Sequence, residues 1–509
     1  MKKVIVLLPL LMLCILSLPT FAADAPAKPM AQELPVPKET SSVTQHSVTI
    51  NGQTIQYTAT AGNLVVDNDK GDAIGSFFYV AYTKDGVKNS DQRPLTFLFN
   101  GGPGSSSIWL HMGSFGPVRV VTSDAKPTPP PPYDLVANQY SLLDKSDLVF
   151  IDAIGTGFSR IVGKGTPKDF YGTDADIESF GKFIQRYITV NDRWNSPKFL
   201  LGESYGTTRA AGLSDWLQEK GIALNGVVLQ SSWLNGFVDF PGPPFSLDLP
   251  YELYLPTMAA TAWFHDKLPN KPADLPAFLQ QVRAFALGDY AHALSQGVNL
   301  SASDTQAIAQ KLHDYIGLPV QYILDAKLRI TPDRFEKELL RGDDRTVGRL
   351  DARFLGIDAD AAGETPAYDP SGSATGPAYT AAFHWYLEND LKYKTNLAYE
   401  VENYREVDRH WDNGQRIDGE KYPLMDVEEN LRAAMTENPH LKVFSANGYF
   451  DFATPFFETE YDLDHMGLDP SLMKNISYGY YQSGHMIYLH VPALAKYKAD
   501  LANFYNLAQ

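Results

Sequence analysis

Pro94–Phe99, Asp147–Asp152, Phe199–Leu201, Gly226–Ser231, Leu441–Ser445 and Ile476–Tyr481 are short, almost wholly apolar runs, most of them closing on a glycine-bearing turn. A run apolar at every position, rather than at every second one, fits a strand buried on both faces. Between these runs lie stretches of helical period, Tyr171–Tyr187, Arg209–Lys220 and Asp426–Glu437, with Pro492–Asn506 closing the chain. Strands alternating with helices predict a mostly parallel sheet covered on both sides. The start differs: Ser47–Thr58 alternates polar and apolar residues around Asn51-Gly52, a β-hairpin signal, and Leu64–Val66 and Gly75–Tyr82 extend it as antiparallel strands. The fold class is therefore α/β, a mostly parallel central sheet with antiparallel N-terminal strands. A chain of 509 residues can bury a sizeable core, as one large domain with insertions or as two to three domains.

The rhythm breaks between residues 236 and 379. Proline-bearing loops (Pro241, Pro243, Pro244) precede helical runs at Lys271–Leu287, Ser301–Tyr315 and Asp333–Leu340, and a Gly- and Ala-rich loop is expected at Ala359–Thr375. This stretch reads as a helical cap inserted into the sheet domain, whose two parts are 43–235 and 380–509. Asp358 and Asp360 hint at a calcium loop, but the remaining ligand spacing fails and a solvated loop is the expectation.

Residues 1–22 read as an export signal: Lys2 and Lys3, an apolar run from Val4 to Leu18, and a small-x-small site at Thr20-Phe21-Ala22. Residues 23–42, with four prolines, read as a disordered leader. Cys14, the single cysteine, lies inside the signal and lacks the small residues that precede a lipid-modified cysteine. The mature chain thus has neither disulfide nor thiolate, which excludes a cysteine nucleophile and suits a large periplasmic or secreted protein with its own core. The 43 basic and 60 acidic residues give −17, and loss of Lys2 and Lys3 with the signal takes this to −19. Nucleic acid and anionic membranes are poor partners for such a chain. No metal, cofactor or membrane insertion after signal removal is expected, and the sequence carries no signal of oligomeric state.

The chemistry concentrates at strand ends. Leu200-Leu201-Gly202-Glu203-Ser204-Tyr205-Gly206 runs from an apolar strand through Gly-x-Ser-x-Gly into helix-compatible residues. On such a turn a serine hydroxyl is exposed, and the following helix N-terminus offers free N–H groups to a developing oxyanion. Asn100-Gly101-Gly102-Pro103-Gly104 after another core strand can present bare backbone N–H groups. It lacks the Gly-Lys-Ser/Thr ending of a phosphate loop. A serine nucleophile needs a base and an acid that orients the base. Among the 11 histidines, His485 follows the last strand behind Gly484, whereas His490 sits among apolar residues and His465 in a charged loop. Asp451 lies just beyond the preceding strand; Asp462 and Asp464 are farther along.

Taken together, Asn100-Gly-Gly-Pro-Gly-Ser-Ser-Ser, Gly155-Thr-Gly-Phe-Ser, Gly202-Glu-Ser-Tyr-Gly, Asp451 and Gly484-His-Met resemble the serine carboxypeptidase family, over roughly residues 75–500. The resemblance implies an α/β-hydrolase fold with a helical cap, a Ser204–His485–Asp451 triad, and an oxyanion hole from the N–H groups of Gly102 and Tyr205. It also implies recognition of a peptide's terminal carboxylate by uncharged donors, Asn100 and a protonated Glu203. Burial beside a like charge would raise the pKa of Glu203, so peptide binding should favour acidic pH. The chain departs from the family pattern at Ser114, which stands where a second carboxylate-binding glutamate is expected, at Leu98 in place of a tryptophan, at Tyr488 in place of proline, and in having no disulfides. Ser114 retains only a hydroxyl for the carboxylate. The leading expectation is an exported serine carboxypeptidase acting on peptides. An esterase or acyltransferase using the same triad is the alternative, and a catalytically silent binding protein a third.

Overall fold

The computed structural model of the chain describes residues 33–238 and 247–508. The expected signal, the leader up to residue 32 and Pro241, Pro243 and Pro244 lie outside the described residues. Ten strands form the main sheet: β1 Ser41–Ile50, β2 Gln53–Asp67, β3 Ala73–Lys84, β4 Leu95–Phe99, β5 Asp147–Ile151, β6 Arg160–Ile161, β7 Lys198–Ser204, β8 Gly226–Ser232, β9 Lys442–Gly448 and β10 Ile476–Tyr481. Their order is β1-β2-β3-β5-β4-β7-β8-β9-β10, with β6 pairing β3. From β5 to β10 every neighbouring pair is parallel, while β1, β2, β3 and β5 pair antiparallel. The Asn51-Gly52 hairpin forms with both residues at positive φ, 49° and 76°.

All five residues of β4 are buried, and they divide between two cores. Leu98 joins Phe150, Leu201, Val228 and Ala446 on one face, and Phe97 and Phe99 join Val149, Leu200 and Val227 on the other. The first face is covered by α11 Val491–Leu507 and α7 Pro370–Asn389; the second by α1 Thr173–Val190, α2 Tyr205–Glu219, α8 Tyr404–His410 and α9 Glu428–Glu437. Each fully buried Leu or Phe stabilises the sheet by about 1.5–3 kcal/mol relative to exposure.

Between β8 and α7 run helices α3 Leu249–Phe264, α4 Leu275–Phe285, α5 Ala302–Ile316 and α6 Pro332–Glu338. Their apolar faces make a third core that reaches Tyr449, Phe450, Phe452 and Phe456, the segment around Asp451. The side chains of Asp274, Ser301 and Thr331 each accept an N–H at the start of α4, α5 and α6.

Three expectations change. The loop foreseen at Ala359–Thr375 ends earlier, because Asp369 caps α7, accepting from Ser371 N–H, and Pro370 occupies its first turn. Residue 379 consequently falls inside a continuous helix. Asp358 is not in a solvated loop: Lys337 Nζ lies 2.5 Å from its carboxylate and 2.5 Å from the Asp360 carbonyl, with both side chains 1 % exposed. An internal cation thus takes the place of calcium there. Pairing also begins before Ser42, since Leu34 and Gly163 exchange N–H···O bonds of 2.9 and 3.0 Å.

Candidate active site

The carboxyl ends of the parallel strands gather the residues singled out above, as expected where an open α/β sheet builds its crevice. β7 ends at Ser204, which holds φ 62° and ψ −134° as α2 begins at Tyr205. Positive φ in a non-glycine residue is strained and is retained where the surroundings enforce it. Here the surroundings are backbone. A Cβ on Gly202 would lie 2.0 Å from the Gly206 carbonyl oxygen, and one on Gly206 would lie 2.6 Å from Phe99 O. The two glycines are required by close approach, and the strand-to-helix turn between them pushes Ser204 outward.

The turn after β4 meets this elbow. A Cβ on Gly101 would fall 2.5 Å from Tyr205 N, and Gly102 holds φ 110°. Tyr205, the first residue of α2, has no intrahelical acceptor for its N–H. Gly101 thus packs on the first residues of α2, and Gly102 follows it in the same turn. The Arg209 guanidinium holds the turn from below, donating to Asn100 O at 2.7 Å while two more donors engage Asp176 at 2.7 and 3.2 Å.

His485 and Asp451 come from the loops after β10 and β9. Nδ1 of His485 lies 2.8 Å from Asp451 Oδ2, and both residues are buried. Asp451 is fixed in turn: its Oδ1 accepts from Ala453 and Thr454 N–H at 2.8 and 3.1 Å, and Oδ2 accepts from the Thr454 hydroxyl at 2.8 Å. The His485 carbonyl accepts from Ser231 Oγ at 2.8 Å and Gln230 Nε2 at 3.3 Å, side chains at the end of β8, where Ser232 pairs in register with Ser204. Burial disfavours the imidazolium, but the Asp451 charge and hydrogen bond outweigh it, and the His485 pKa is raised. Asp462 and Asp464 lie on α10 Phe456–His465, beyond this arrangement; His465 ends that helix, and His490 pairs with Asp124 at 2.9 Å.

Glu203 sits behind the serine, 2 % exposed. Gln230 Nε2 donates to its Oε2 at 2.8 Å, the Tyr488 hydroxyl to its Oε1 at 3.2 Å, and Asn100 bonds it as well. Desolvation dominates these contacts and lifts its pKa to about 7. The Asn100 Oδ1 accepts from Leu110 N–H at 2.9 Å. Ser114 differs from these: it is fully buried and its hydroxyl donates to Leu110 O at 2.6 Å, so its proton does not face the cleft. Thr454, Gln230, Ser231, Arg209 and Tyr488 make contacts that sequence reasoning did not assign. Only Thr454, three residues after an aspartate in a turn, left a local signal.

Residues 51–242 match the model of the family described as serine carboxypeptidase. The chain is 30 % identical over 171 residues to the human retinoid-inducible serine carboxypeptidase, covering 31 % of this chain and 34 % of that protein. It is 35 % identical over 136 residues to the pheromone-processing carboxypeptidase KEX1 of Saccharomyces cerevisiae, 25 % of this chain and 17 % of that protein. The matched segments thus span about a third or less of these relatives. The solved KEX1(Δ)p structure, a prohormone-processing carboxypeptidase from the same yeast, superposes with a TM-score of 0.55 at 15 % identity, covering 88 % of this chain and 91 % of that one. At that identity the likeness speaks for the fold alone, and the fold is that of an α/β-hydrolase with a mostly parallel central sheet.

Proposed function

From the match of residues 51–242 to the serine carboxypeptidase family, we propose that the chain belongs to that family and removes the C-terminal residue of peptides with Ser204 as nucleophile. His485 takes the Ser204 proton as Oγ attacks the scissile carbonyl carbon, and the oxyanion formed is held by the N–H groups of Gly102 and Tyr205. The proton then passes to the leaving amine, the C–N bond breaks, and the acyl group stays on Ser204. Water, deprotonated by His485, clears it as the free acid. Asp451 keeps the imidazole in the tautomer this requires. The observation that carries the reading is the 2.8 Å His485–Asp451 bond beside a strained, outward-turned serine.

Asn100 and Glu203 form the wall for the terminal carboxylate, with Glu203 donating only while protonated. Its pKa of about 7, set by burial, supports peptide binding from acidic to neutral pH. Residues 236–379 act as the cap over the cleft, supported by the apolar contact of α3–α6 with the Asp451 segment. Residues 1–22 direct export to the periplasm or outside. Among the described residues no helix is long and apolar enough to cross a membrane.

A second reading is favoured by Ser114, whose hydroxyl is committed to Leu110 and leaves the carboxylate wall one donor short. The same triad would then serve an esterase or acyltransferase. Release of free amino acid from an N-blocked dipeptide, compared with its C-terminal amide across pH 4.5 to 8 and with Ser204→Ala, decides between them. Preference for the free acid that is lost in the variant supports the carboxypeptidase. Equal cleavage of acid, amide and ester favours the second reading.

A further inference from the structure

Arg349 belongs to a segment that its backbone stitches to the reaction centre. His485 N–H donates to Leu350 O at 2.7 Å, and Phe452 N–H donates to Arg349 O at 3.0 Å. The Arg349 and Leu350 N–H groups both donate to the Asp369 carboxylate, at 3.2 and 3.0 Å. Gly484 packs so closely on this segment that a Cβ there would lie 2.3 Å from Leu350 O. The Arg349 backbone is thus wedged between the histidine loop and the Asp451 turn.

The side chain is different. Arg349 is exposed, and among the described residues no hydrogen bond or ion pair engages its guanidinium. Other arginines of this stretch are committed: Arg353 to Asp351 and Asp124, Arg345 to the Asp344 carbonyl, Arg341 to Glu338, Arg334 to Glu364. The Arg349 charge reaches both walls of the cleft. Together with burial, and against the stronger pull of Asp451, it weakens the proton affinity of His485. It also offsets part of the burial that raises Tyr404, a ring packed 3.1 Å from where a Cβ on Gly102 would stand. An exposed cation without an ion pair, on the segment bonded to the histidine loop and the Asp451 turn, is unexpected in so acidic a chain, whose overall field repels anions.

The neutral donors of the cleft are largely occupied. Ser114 donates to Leu110, and Tyr488 and Gln230 donate to Glu203, which leaves Asn100 and Glu203 as the neutral wall. A guanidinium fork matches a carboxylate with two parallel hydrogen bonds. We propose that Arg349 is an anion anchor of the cleft and binds a carboxylate of the substrate peptide. This rests on the peptide-substrate reading above. The carboxylate has two sources of one chemistry, the peptide's own C-terminus or an Asp or Glu side chain beside the scissile bond.

The test is peptide binding to full-length Ser204→Ala, which binds without turnover. The probes are an N-blocked Ala-Leu acid, its amide, and a pair of dipeptide amides carrying Glu or Gln. A carboxylate-bearing probe is expected to bind roughly five- to tenfold more tightly than its neutral counterpart. That ratio should fall to about one in Ser204→Ala/Arg349→Ala, persist in part with Arg349→Lys and invert with Arg349→Glu. Loss of the acid-over-amide ratio identifies the terminus as the ligand; loss of the Glu-over-Gln ratio identifies the side chain. Ratios that survive Arg349→Ala, or that never exceed one, overturn the anchor. Amino-acid release by the unmutated enzyme is read in parallel. Release with Arg349-independent binding removes the anchor and leaves the carboxypeptidase standing, whereas Arg349-dependent binding without release does the reverse.

Discussion

Arg209 Nη1 donates to the Asn100 carbonyl at 2.7 Å from inside the protein, tying the helix that follows the proposed nucleophile to the turn that faces it. The guanidinium is 1 % exposed, lies 4.0 Å from the Phe180 ring centroid and grips Asp176 with two donors. Burial still dominates Asp176 and raises its pKa despite the arginine. Replacing Arg209 by Met leaves that carboxylate buried and unpaired, a loss on the order of 3–5 kcal/mol. Urea denaturation should show this loss, and Arg209→Met/Asp176→Leu should recover most of it. Neither variant restores the hold on Asn100, so both should show a reduced kcat even where stability returns.

Glu203 links burial to pH. Its ordinary pKa of 4.5 rises to about 7 in the fold, chiefly by desolvation, so between those values the folded chain binds a proton that the unfolded chain has released. Stability therefore falls as pH climbs from 4.5 to about 7 and levels off above. The contribution is at most on the order of 3 kcal/mol. Glu203→Gln removes this slope. The difference in unfolding free energy between variant and parent, measured at pH 4.5, 6 and 8, should shift in the variant's favour with rising pH. A constant difference would show that Glu203 does not titrate there.

Lys337 and Asp358 make a salt bridge with each side chain 1 % exposed, at the place where spacing alone suggested an incomplete calcium loop. Lys337→Met should cost about 3–5 kcal/mol, because Asp358 then has no cation in a water-excluded position. Lys337→Met/Asp358→Leu should regain most of that stability in the same denaturation assay. Added calcium should not stabilise the parent protein.

The sheet was legible because its strands are buried on both faces, so that Leu95–Phe99 and Asp147–Ile151 read as almost wholly apolar runs. Gly202, Ser204 and Gly206 were legible for a different reason: close backbone approach admits only glycine, and that leaves a local pattern. What escaped was held by contacts distant in sequence. Asp176 meets Arg209, Gln230 meets Glu203, and Lys337 meets Asp358 without any local spacing to announce them. Helix α7 escaped because Gly372, Gly376 and Pro377 mimic a loop, whereas its burial against the sheet outweighs their low propensity. Arg349 looks like any surface arginine until the Leu350–His485 bond brings it to the cleft.

Thr454 offers the most direct view of the proposed acid–base pair. Its hydroxyl donates to Asp451 Oδ2 at 2.8 Å, the same oxygen that faces His485 Nδ1 at 2.8 Å. Thr454→Val removes that donor and keeps the shape, while the Ala453 and Thr454 N–H groups still hold Oδ1. A hydrogen bond to a charged group contributes about 1.5–3 kcal/mol, so a stability loss of that order is expected. The catalytic effect has its own direction. With one donor fewer, the carboxylate charge acts more fully on the imidazolium, and the His485 pKa, already raised by Asp451 against burial, rises further. Because the base must be neutral to accept the Ser204 proton, the acidic limb of kcat/KM should move to higher pH. An uncharged ester substrate isolates this limb from the titration of Glu203. Thr454→Ser, which keeps the hydroxyl, should return the limb toward its original position. A profile that does not move in Thr454→Val would mean that Thr454 braces the turn without tuning the histidine.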